Sequence, residues 1–116
     1  MKTLLRHLAI LWLILSAALS AAAQWMPDIL GDGFEMRYVE MPDDYSGRVR
    51  STVVRKITND STTARAVLYV HGFNDYFFQA ELADTLVDHG YDFYAVDLRK
   101  YGRSLLPENR PFEVRD

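Results

Sequence analysis

The sequence contains no cysteine. Without cysteine the chain cannot form a disulfide scaffold, a thiol nucleophile or a thiolate metal site. Many exported proteins have no disulfides, so this absence leaves export open. Any chemistry of the chain must therefore come from hydroxyl, carboxylate, imidazole, cationic and backbone groups.

An excess of basic residues is also missing. The 116 residues carry 13 Lys and Arg against 16 Asp and Glu, a net charge of −3. Domains that bind nucleic acid usually present a basic face, so this balance argues against nucleic acid as a partner. There is no repeat or low-complexity tract, and 49% hydrophobic with 25% charged residues is typical of a globular protein. The length allows one small domain.

Signals for cofactors are missing as well. No His, Asp and Glu residues stand at metal-ligand spacing. The segment Gly102-Arg103-Ser104 lacks the Gly-x-Gly-x-x-Gly and Walker patterns that cradle phosphates. We therefore expect no metal, nucleotide or other cofactor.

The longest apolar run is too short to span a membrane. Leu8 to Ala18 is an apolar core of about a dozen residues, whereas a spanning helix needs about 20. A basic start precedes this core, and the small residues Ser20 to Ala23 follow it. This pattern predicts a cleaved signal peptide over residues 1–23, with Gln24 first in the mature chain; an N-terminal membrane anchor is the alternative. With cleavage, we expect an exported protein, secreted or periplasmic, without a stable membrane span.

Two strands are predicted in the first part of the mature chain. Phe34 to Met41 alternates apolar with polar residues, as in a half-buried strand. A turn cluster separates it from a second strand, Arg48 to Thr58, whose charged residues favour a position near a sheet edge. We expect the two strands to form an antiparallel hairpin or meander.

The stretch Val67 to Ser104 predicts a strand, a helix, a second strand and a loop. Val67–Val70 and Phe93–Val96 are continuous β-branched and aromatic runs, which suit strands buried on both faces of a parallel sheet. A helix is predicted between them, from about Phe77 to His89. Together they form one right-handed βαβ unit, and the predicted fold class is α/β.

The predicted helix has an apolar stripe and a start signal. Asn74 or Asp75 can cap its N-terminus through a side-chain oxygen. Apolar residues recur at a spacing of four, which defines the stripe that faces the core: Phe78, Leu82 and Leu86.

Functional groups in an open α/β sheet gather at the carboxyl ends of the strands. Two segments of this chain lie there, His71 to Asp75 after the first buried strand and Asp97 to Ser104 after the second. Parallel strands end at the same edge, so we expect both segments at one rim of the sheet.

These two segments carry a family resemblance. The first strand ends in His71-Gly72, and the second ends in the pattern Asp-x-Arg-x-x-Gly-x-Ser, formed here by Asp97, Arg99, Gly102 and Ser104. With these motifs the chain resembles, from roughly Phe34 to Pro107, the N-terminal part of α/β-hydrolases of the serine aminopeptidase, lysophospholipase and monoacylglycerol-lipase group. The resemblance implies a small carboxylic ester or lipid-like substrate, no cofactor, and a structural role for the matched residues.

The resemblance also implies a role for the turn after the first strand. Ester hydrolysis passes through a tetrahedral oxyanion, which preorganised backbone N–H groups stabilise. By resemblance, the Phe73 backbone N–H is one such donor, and the side chains of Phe73 and Tyr76 line the substrate pocket. The second donor in this fold follows the nucleophile.

A nucleophile is missing from the sequence. None of the serines lies in Gly-x-Ser-x-Gly, the nucleophile elbow of this fold. His71 precedes any nucleophile, so we interpret it as a structural residue and not as the catalytic base. Asp97 and Arg99 are expected to form a pair that fixes the loop, with a catalytic pair as the alternative. Residues 24–116 are then the N-terminal part of a hydrolase domain, cut before its catalytic residues.

Two other hypotheses stay open. The chain can belong to a non-catalytic binding protein that keeps the hydrolase-like fold and lacks the triad. It can also be a complete small exported module. Since one helix cannot cover both faces of a parallel sheet, an isolated piece would expose apolar surface and an unpaired strand edge. No oligomeric state is predicted.

Overall fold

A computed structural model describes residues 1–22, 24–62 and 64–115, with side chains for all of these except residues 15–22. The described residues form two α-helices, α1 (Lys2–Ala22) and α2 (Ala80–Asp88), and five strands: β1 (Met26–Pro27), β2 (Glu35–Glu40), β3 (Arg50–Lys56), β4 (Ala66–Val70) and β5 (Asp92–Asp97). A single 3₁₀ turn, Gly102–Ser104, follows β5.

The strands form one mixed sheet in the order β1-β2-β3-β5-β4. Three of the strand pairs are antiparallel: β1 with β2, β2 with β3, and β3 with β5. β4 and β5 are parallel, and α2 connects them along the chain. The predicted α/β class is confirmed, with antiparallel lead-in strands followed by a parallel β-α-β unit.

The hydrophobic core lies between α2 and one face of the sheet. Phe77 sits at its centre, with ring centroids 5.1 Å from Phe93, 5.5 Å from Tyr69 and 6.3 Å from Phe34. Alternate residues of the strands point to this side, as the two-residue period of a strand requires. The buried cluster contains Phe34, Met36, Val54, Phe77, Ala83, Phe93 and Ala95.

Strand β4 lies at the edge of the sheet and is not buried on both faces as predicted. Val67 and Tyr69 pack against the core, whereas Leu68 is 64% exposed and Val70 55% exposed. The two faces differ because α2 covers only one of them. Among the described residues no strand pairs with the outer edge of β4. The sheet therefore exposes apolar side chains on its second face and, within the described residues, has an unpaired edge at β4.

Strand β3 lies between β2 and β5, so the prediction of a position near the sheet edge is wrong. Its charged side chains have partners on neighbouring elements. Arg55 Nε lies 3.1 Å from the carboxylate of Glu35 on β2, and Lys56 Nζ lies 2.6 Å from that of Asp84 on α2. A charged residue can occupy a central strand when a neighbour supplies the opposite charge.

Helix α2 begins at Ala80, later than predicted, and neither Asn74 nor Asp75 caps it. The N-cap residue, Gln79, makes no side-chain hydrogen bond that caps the helix. Phe77 stays outside the helix because its N–H donates to Asp97 Oδ1 at 2.8 Å. This contact between distant parts of the chain places the Phe77 ring in the core and delays the helix.

The buried stripe of α2 is consequently shifted from the predicted one. Ala83 is fully buried and Leu86 packs against the core. Leu82 is 42% exposed, and Phe78, which lies before the helix, is 54% exposed. The prediction that Phe78 belongs to the core face is wrong, because Phe77 takes that position.

Helix α1 covers most of the predicted signal peptide, and its side chains over residues 2–14 are exposed. Ala23, the last residue of the predicted cleavage site, lies outside the described residues, as do the side chains of residues 15–22. None of the described helices is long and apolar enough to cross a membrane.

Candidate functional site at the carboxyl ends of β4 and β5

The turns that follow β4 and β5 are joined by His71. Its imidazole is buried, with Nδ1 2.8 Å from the Gly72 carbonyl oxygen and Nε2 3.0 Å from the Leu98 backbone nitrogen. Because the Leu98 N–H can only donate, Nε2 is the acceptor and Nδ1 carries the hydrogen that bonds to Gly72. Both ring nitrogens of His71 are thus used to hold the two turns together, as expected of a structural residue.

The backbone N–H of Phe73 follows this anchored turn. Among the described residues it donates to no hydrogen bond. The Phe73 side chain is 81% exposed, and its ring packs edge-on against Phe112 at a centroid distance of 6.2 Å. The next residue, Asn74, has φ of 57°, a left-handed conformation that asparagine tolerates better than most residues. The turn therefore presents a rigidly held, unpartnered donor at the rim.

Asp97, the last residue of β5, also fixes this rim. Its carboxylate is fully buried; Oδ1 accepts the Phe77 N–H at 2.8 Å, and Oδ2 accepts the Arg103 backbone N–H at 3.0 Å. Its carbonyl oxygen accepts the Ser104 hydroxyl at 2.7 Å. Asp97 has its oxygens occupied by the protein itself, so it acts as a scaffold for the loop.

The cation that pairs with Asp97 is Arg103, and the predicted pairing with Arg99 is wrong. Arg103 Nη1 lies 2.9 Å from Asp97 Oδ2. Arg99 instead lies 3.8 Å from Asp44. Both arginines are in the loop after β5 and carry the same charge, so the sequence alone does not separate them. The 3₁₀ turn decides the outcome, because it folds Arg103 back over the end of the strand.

Arg103 also binds the irregular segment before β2. Its Nε and Nη2 lie 2.6 Å and 2.9 Å from the two carboxylate oxygens of Asp28. Burial acts to raise the pKa of Asp28, but the hydrogen bonds and the charge of Arg103 outweigh it, and this pKa lies below its ordinary value. Burial acts to lower the pKa of Arg103, and its two carboxylate partners reverse this and raise it. The three side chains form one buried network.

A second buried cation, Lys100, holds the outer part of the loop. Its side chain is fully buried, with Nζ 2.9 Å from Asp44 Oδ2, 3.2 Å from the Tyr45 hydroxyl and 2.8 Å from the Glu113 carbonyl oxygen. Hydrogen bonds from Lys100 and Ser46 lower the pKa of Asp44 far below its usual range. Lys100 has φ of 67°. These contacts stabilise a backbone conformation that is unfavourable for a lysine.

Gly102 and Ser104, the last residues of the matched pattern, are held in tight surroundings. A Cβ on Gly102 would lie 2.6 Å from both Asp97 Oδ2 and the Tyr76 Cβ, and φ is 46° there, so only glycine fits. Ser104 is fully buried, and its hydroxyl lies 3.0 Å from that of Thr52 on β3. With the Asp97 carbonyl oxygen as its second partner, this buried hydroxyl joins β3 to the end of β5.

The rings of the two predicted pocket residues pack on different aromatic partners. The Tyr76 ring packs on Phe78 at a centroid distance of 5.3 Å, whereas the Phe73 ring packs on Phe112. The surface formed by the described residues includes a cavity lined by residues 78–82. It also includes a cavity of about 210 Å³ that is lined by Met41, Ser51, Leu98, Arg99 and Val114. Neither includes Phe73 or Tyr76, so the assignment of these residues to a substrate pocket stays a prediction.

Four charged residues of these networks were not predicted from the sequence: Asp28, Asp44, Lys100 and Arg103. Arg103 lies inside the matched loop pattern, which is the one local signal that could have singled it out. The partners are distant: 75 positions separate Arg103 from Asp28. Such pairs have no period or spacing in the sequence, so only the fold brings them together.

Within the described ranges, no group of three or more His, Asp or Glu side chains could hold a metal ion. The rim therefore offers backbone donors, a neutral imidazole and two buried ion-pair networks.

In comparisons with known proteins, no family model, no curated protein and no solved structure matches the chain.

Proposed function

We propose that the chain is the N-terminal part of an exported serine hydrolase with an α/β-hydrolase fold, which cleaves carboxylic esters of the lysophospholipid, monoacylglycerol or simple ester type. In this proposal residues 24–116 supply the turn that carries one oxyanion donor. The nucleophile, the acid and the catalytic histidine come from further residues of the same protein. The segment by itself is expected to be inactive.

The observation that carries the proposal is the unpartnered Phe73 N–H at the carboxyl end of β4. A backbone donor that is fixed in place and free of intramolecular bonds can bind an oxyanion without reorganisation. The turn is fixed from two directions. His71 ties it to Leu98, and Asp97 accepts the N–H of Phe77 at its far end. A donor held in this way is what hydrolysis of an ester requires at the carbonyl oxygen.

The topology supports the same proposal. Antiparallel lead-in strands precede a parallel β-α-β unit, in the order that the resemblance implies. The outer edge of β4 and the exposed Leu68 and Val70 are surfaces that a further parallel strand and a helix on the second face would cover. The N-terminal pattern of a basic start, an apolar core and small residues supports export.

Two linked experiments test the proposal. The reading frame of the full-length protein is expected to contain a Gly-x-Ser-x-Gly elbow after Asp116, followed by an acid and a histidine. The full-length protein is then expected to react with a fluorophosphonate probe, and changing the elbow serine to alanine should abolish labelling. An absent elbow would exclude hydrolysis. An elbow without labelling would favour the non-catalytic binding protein.

A further inference from the structure

The cavity of about 210 Å³ beside the end of β5 has an almost entirely apolar lining with one charged group at its edge. Met41, Leu98 and Val114 supply apolar wall, and Arg99 supplies the charge. Pockets for drug-sized ligands measure about 300–1,000 Å³. A cavity below that range suits a smaller molecule with an aliphatic part.

The walls of this cavity are held by hydrogen bonds. The Leu98 N–H donates to His71 Nε2 at 3.0 Å, which fixes the backbone of this lining residue. Lys100 Nζ donates to the carbonyl oxygen of Glu113, the residue before Val114, at 2.8 Å. The Tyr45 hydroxyl donates to the same oxygen at 2.7 Å. The cavity is thus formed between two fixed segments.

Arg99 has donors to spare. Among the described residues its guanidinium makes no hydrogen bond, and its one ion-pair contact is 3.8 Å from Asp44 Oδ2. Asp44 is already held by Lys100 Nζ at 2.9 Å. One carboxylate therefore faces two cations, and Lys100 holds the closer position. The Arg99 side chain is 29% exposed, and its guanidinium keeps a planar set of donors available for an anion.

A second polar group lies in the same lining. The Ser51 hydroxyl has the Met41 sulfur as its acceptor, at 3.1 Å. A thioether sulfur is a weak acceptor, so this hydroxyl can turn to a stronger one at little cost. Arg99 and Ser51 are thus two donors on the wall of an otherwise apolar cavity.

We propose that this cavity binds a short-chain aliphatic monocarboxylate. The carboxylate lies on the Arg99 guanidinium, with Ser51 as a second donor, and the alkyl chain packs against Met41, Leu98 and Val114. Arginine suits this role because its fork of N–H donors matches the two oxygens of a carboxylate. The site uses neither the Phe73 N–H nor a nucleophile, so it goes beyond the proposed hydrolase function and stands independently of it.

The test is a binding measurement on the full-length protein by isothermal titration calorimetry, with hexanoate, hexanol and acetate as probes. Hexanoate should bind most tightly, because hexanol lacks the charge and acetate lacks most of the chain. Arg99→Gln should weaken hexanoate binding about tenfold to a hundredfold, the range of a charged hydrogen bond, and leave hexanol unchanged. Arg48→Gln is the matched control. Arg48 is an exposed arginine paired with Glu40, outside the cavity lining, and its variant should bind hexanoate like the wild type.

A second variant separates the site from a loss of folding. Val114 is 49% exposed, so Val114→Phe should fold and fill the apolar part while Arg99 remains. It should lose hexanoate binding with an unchanged thermal unfolding midpoint. Equal affinity for hexanoate and hexanol, or full hexanoate binding by Arg99→Gln or by Val114→Phe, would each overturn the proposal.

Discussion

Arg103 binds Asp28 through two parallel hydrogen bonds, 2.6 Å and 2.9 Å long, across 75 positions of the sequence. The same guanidinium donates to Asp97 at 2.9 Å and to the Phe77 carbonyl oxygen at 2.7 Å. One side chain therefore joins the segment before β2, the end of β5 and the residue at the centre of the core. The rim that carries the Phe73 donor depends on this connection.

Arg103→Gln should destabilise the protein by about 3 to 5 kcal/mol, the cost of removing one partner from a buried ion pair. The variant leaves Asp28 and Asp97 buried without their cation. Urea unfolding, monitored by circular dichroism, measures this loss of unfolding free energy. Arg48→Gln, which removes an exposed ion pair with Glu40, should leave the midpoint unchanged. Equal midpoints for the two variants would show that the Arg103 network contributes no more than a surface pair.

The lowered pKa of Asp28 predicts a dependence of stability on pH. A carboxyl whose pKa is lower in the folded state adds stability above its unfolded pKa of about 3.9, and this is lost as the pH falls through the folded value. Asp28→Asn should therefore be less stable than the wild type at neutral pH, and the gap should narrow below about pH 4. Urea unfolding at a series of pH values measures the gap. Asp44 and Asp60, whose pKa values are also lowered, affect both proteins alike. If the difference in unfolding free energy between wild type and Asp28→Asn stays constant down to acid pH, the pKa of Asp28 is not lowered in the folded state.

Gly102→Ala should be more destabilising than Gly31→Ala. Both glycines have positive φ, 46° and 65°, so alanine at either position costs roughly 1 to 2 kcal/mol in backbone strain. A Cβ at Gly31 meets no atom within 4 Å, whereas at Gly102 it would lie 2.6 Å from the Asp97 carboxylate and from Tyr76. We expect a further loss of about 1 to 3 kcal/mol for Gly102→Ala from this overlap. Thermal unfolding of the two variants measures the difference in their stability. Equal losses of stability would mean that the loop around Gly102 moves to accommodate the added Cβ.

The strand periods were sufficient to predict the sheet but not the position of each strand within it. Alternating and continuous apolar runs located β2 to β5 and the parallel pair correctly. The order β3-β5-β4 was not predictable, because Arg55 and Lys56 suggest an edge until Glu35 and Asp84 are known to lie beside them. The hydrophobic pattern of a segment predicts which of its own residues are buried. It does not show which residue of another segment will pair with a charged side chain.

The candidate site shows the same limit at the level of single residues. The rim itself, with His71, Phe73 and Asp97, could be predicted because carboxyl ends of parallel strands share an edge. The later start of α2 could not, since it depends on the bond from the Phe77 N–H to Asp97. The exchange of Arg99 for Arg103 as the partner of Asp97 likewise depends on how the loop folds back.

The Phe73 backbone N–H gives the most direct test of the proposed chemistry. Phe73→Pro removes this donor, whereas Phe73→Ala removes the ring and keeps the donor. If the N–H stabilises an oxyanion, Phe73→Pro in the full-length protein should lower kcat for a p-nitrophenyl ester about 10²- to 10³-fold. Phe73→Ala should mainly change KM, because the 81% exposed ring is expected to contact the substrate while the N–H donor stays in place. Far-ultraviolet circular dichroism confirms that both variants fold. Equal kcat values for the two variants would show that the ring, and not the donor, accounts for the role of Phe73.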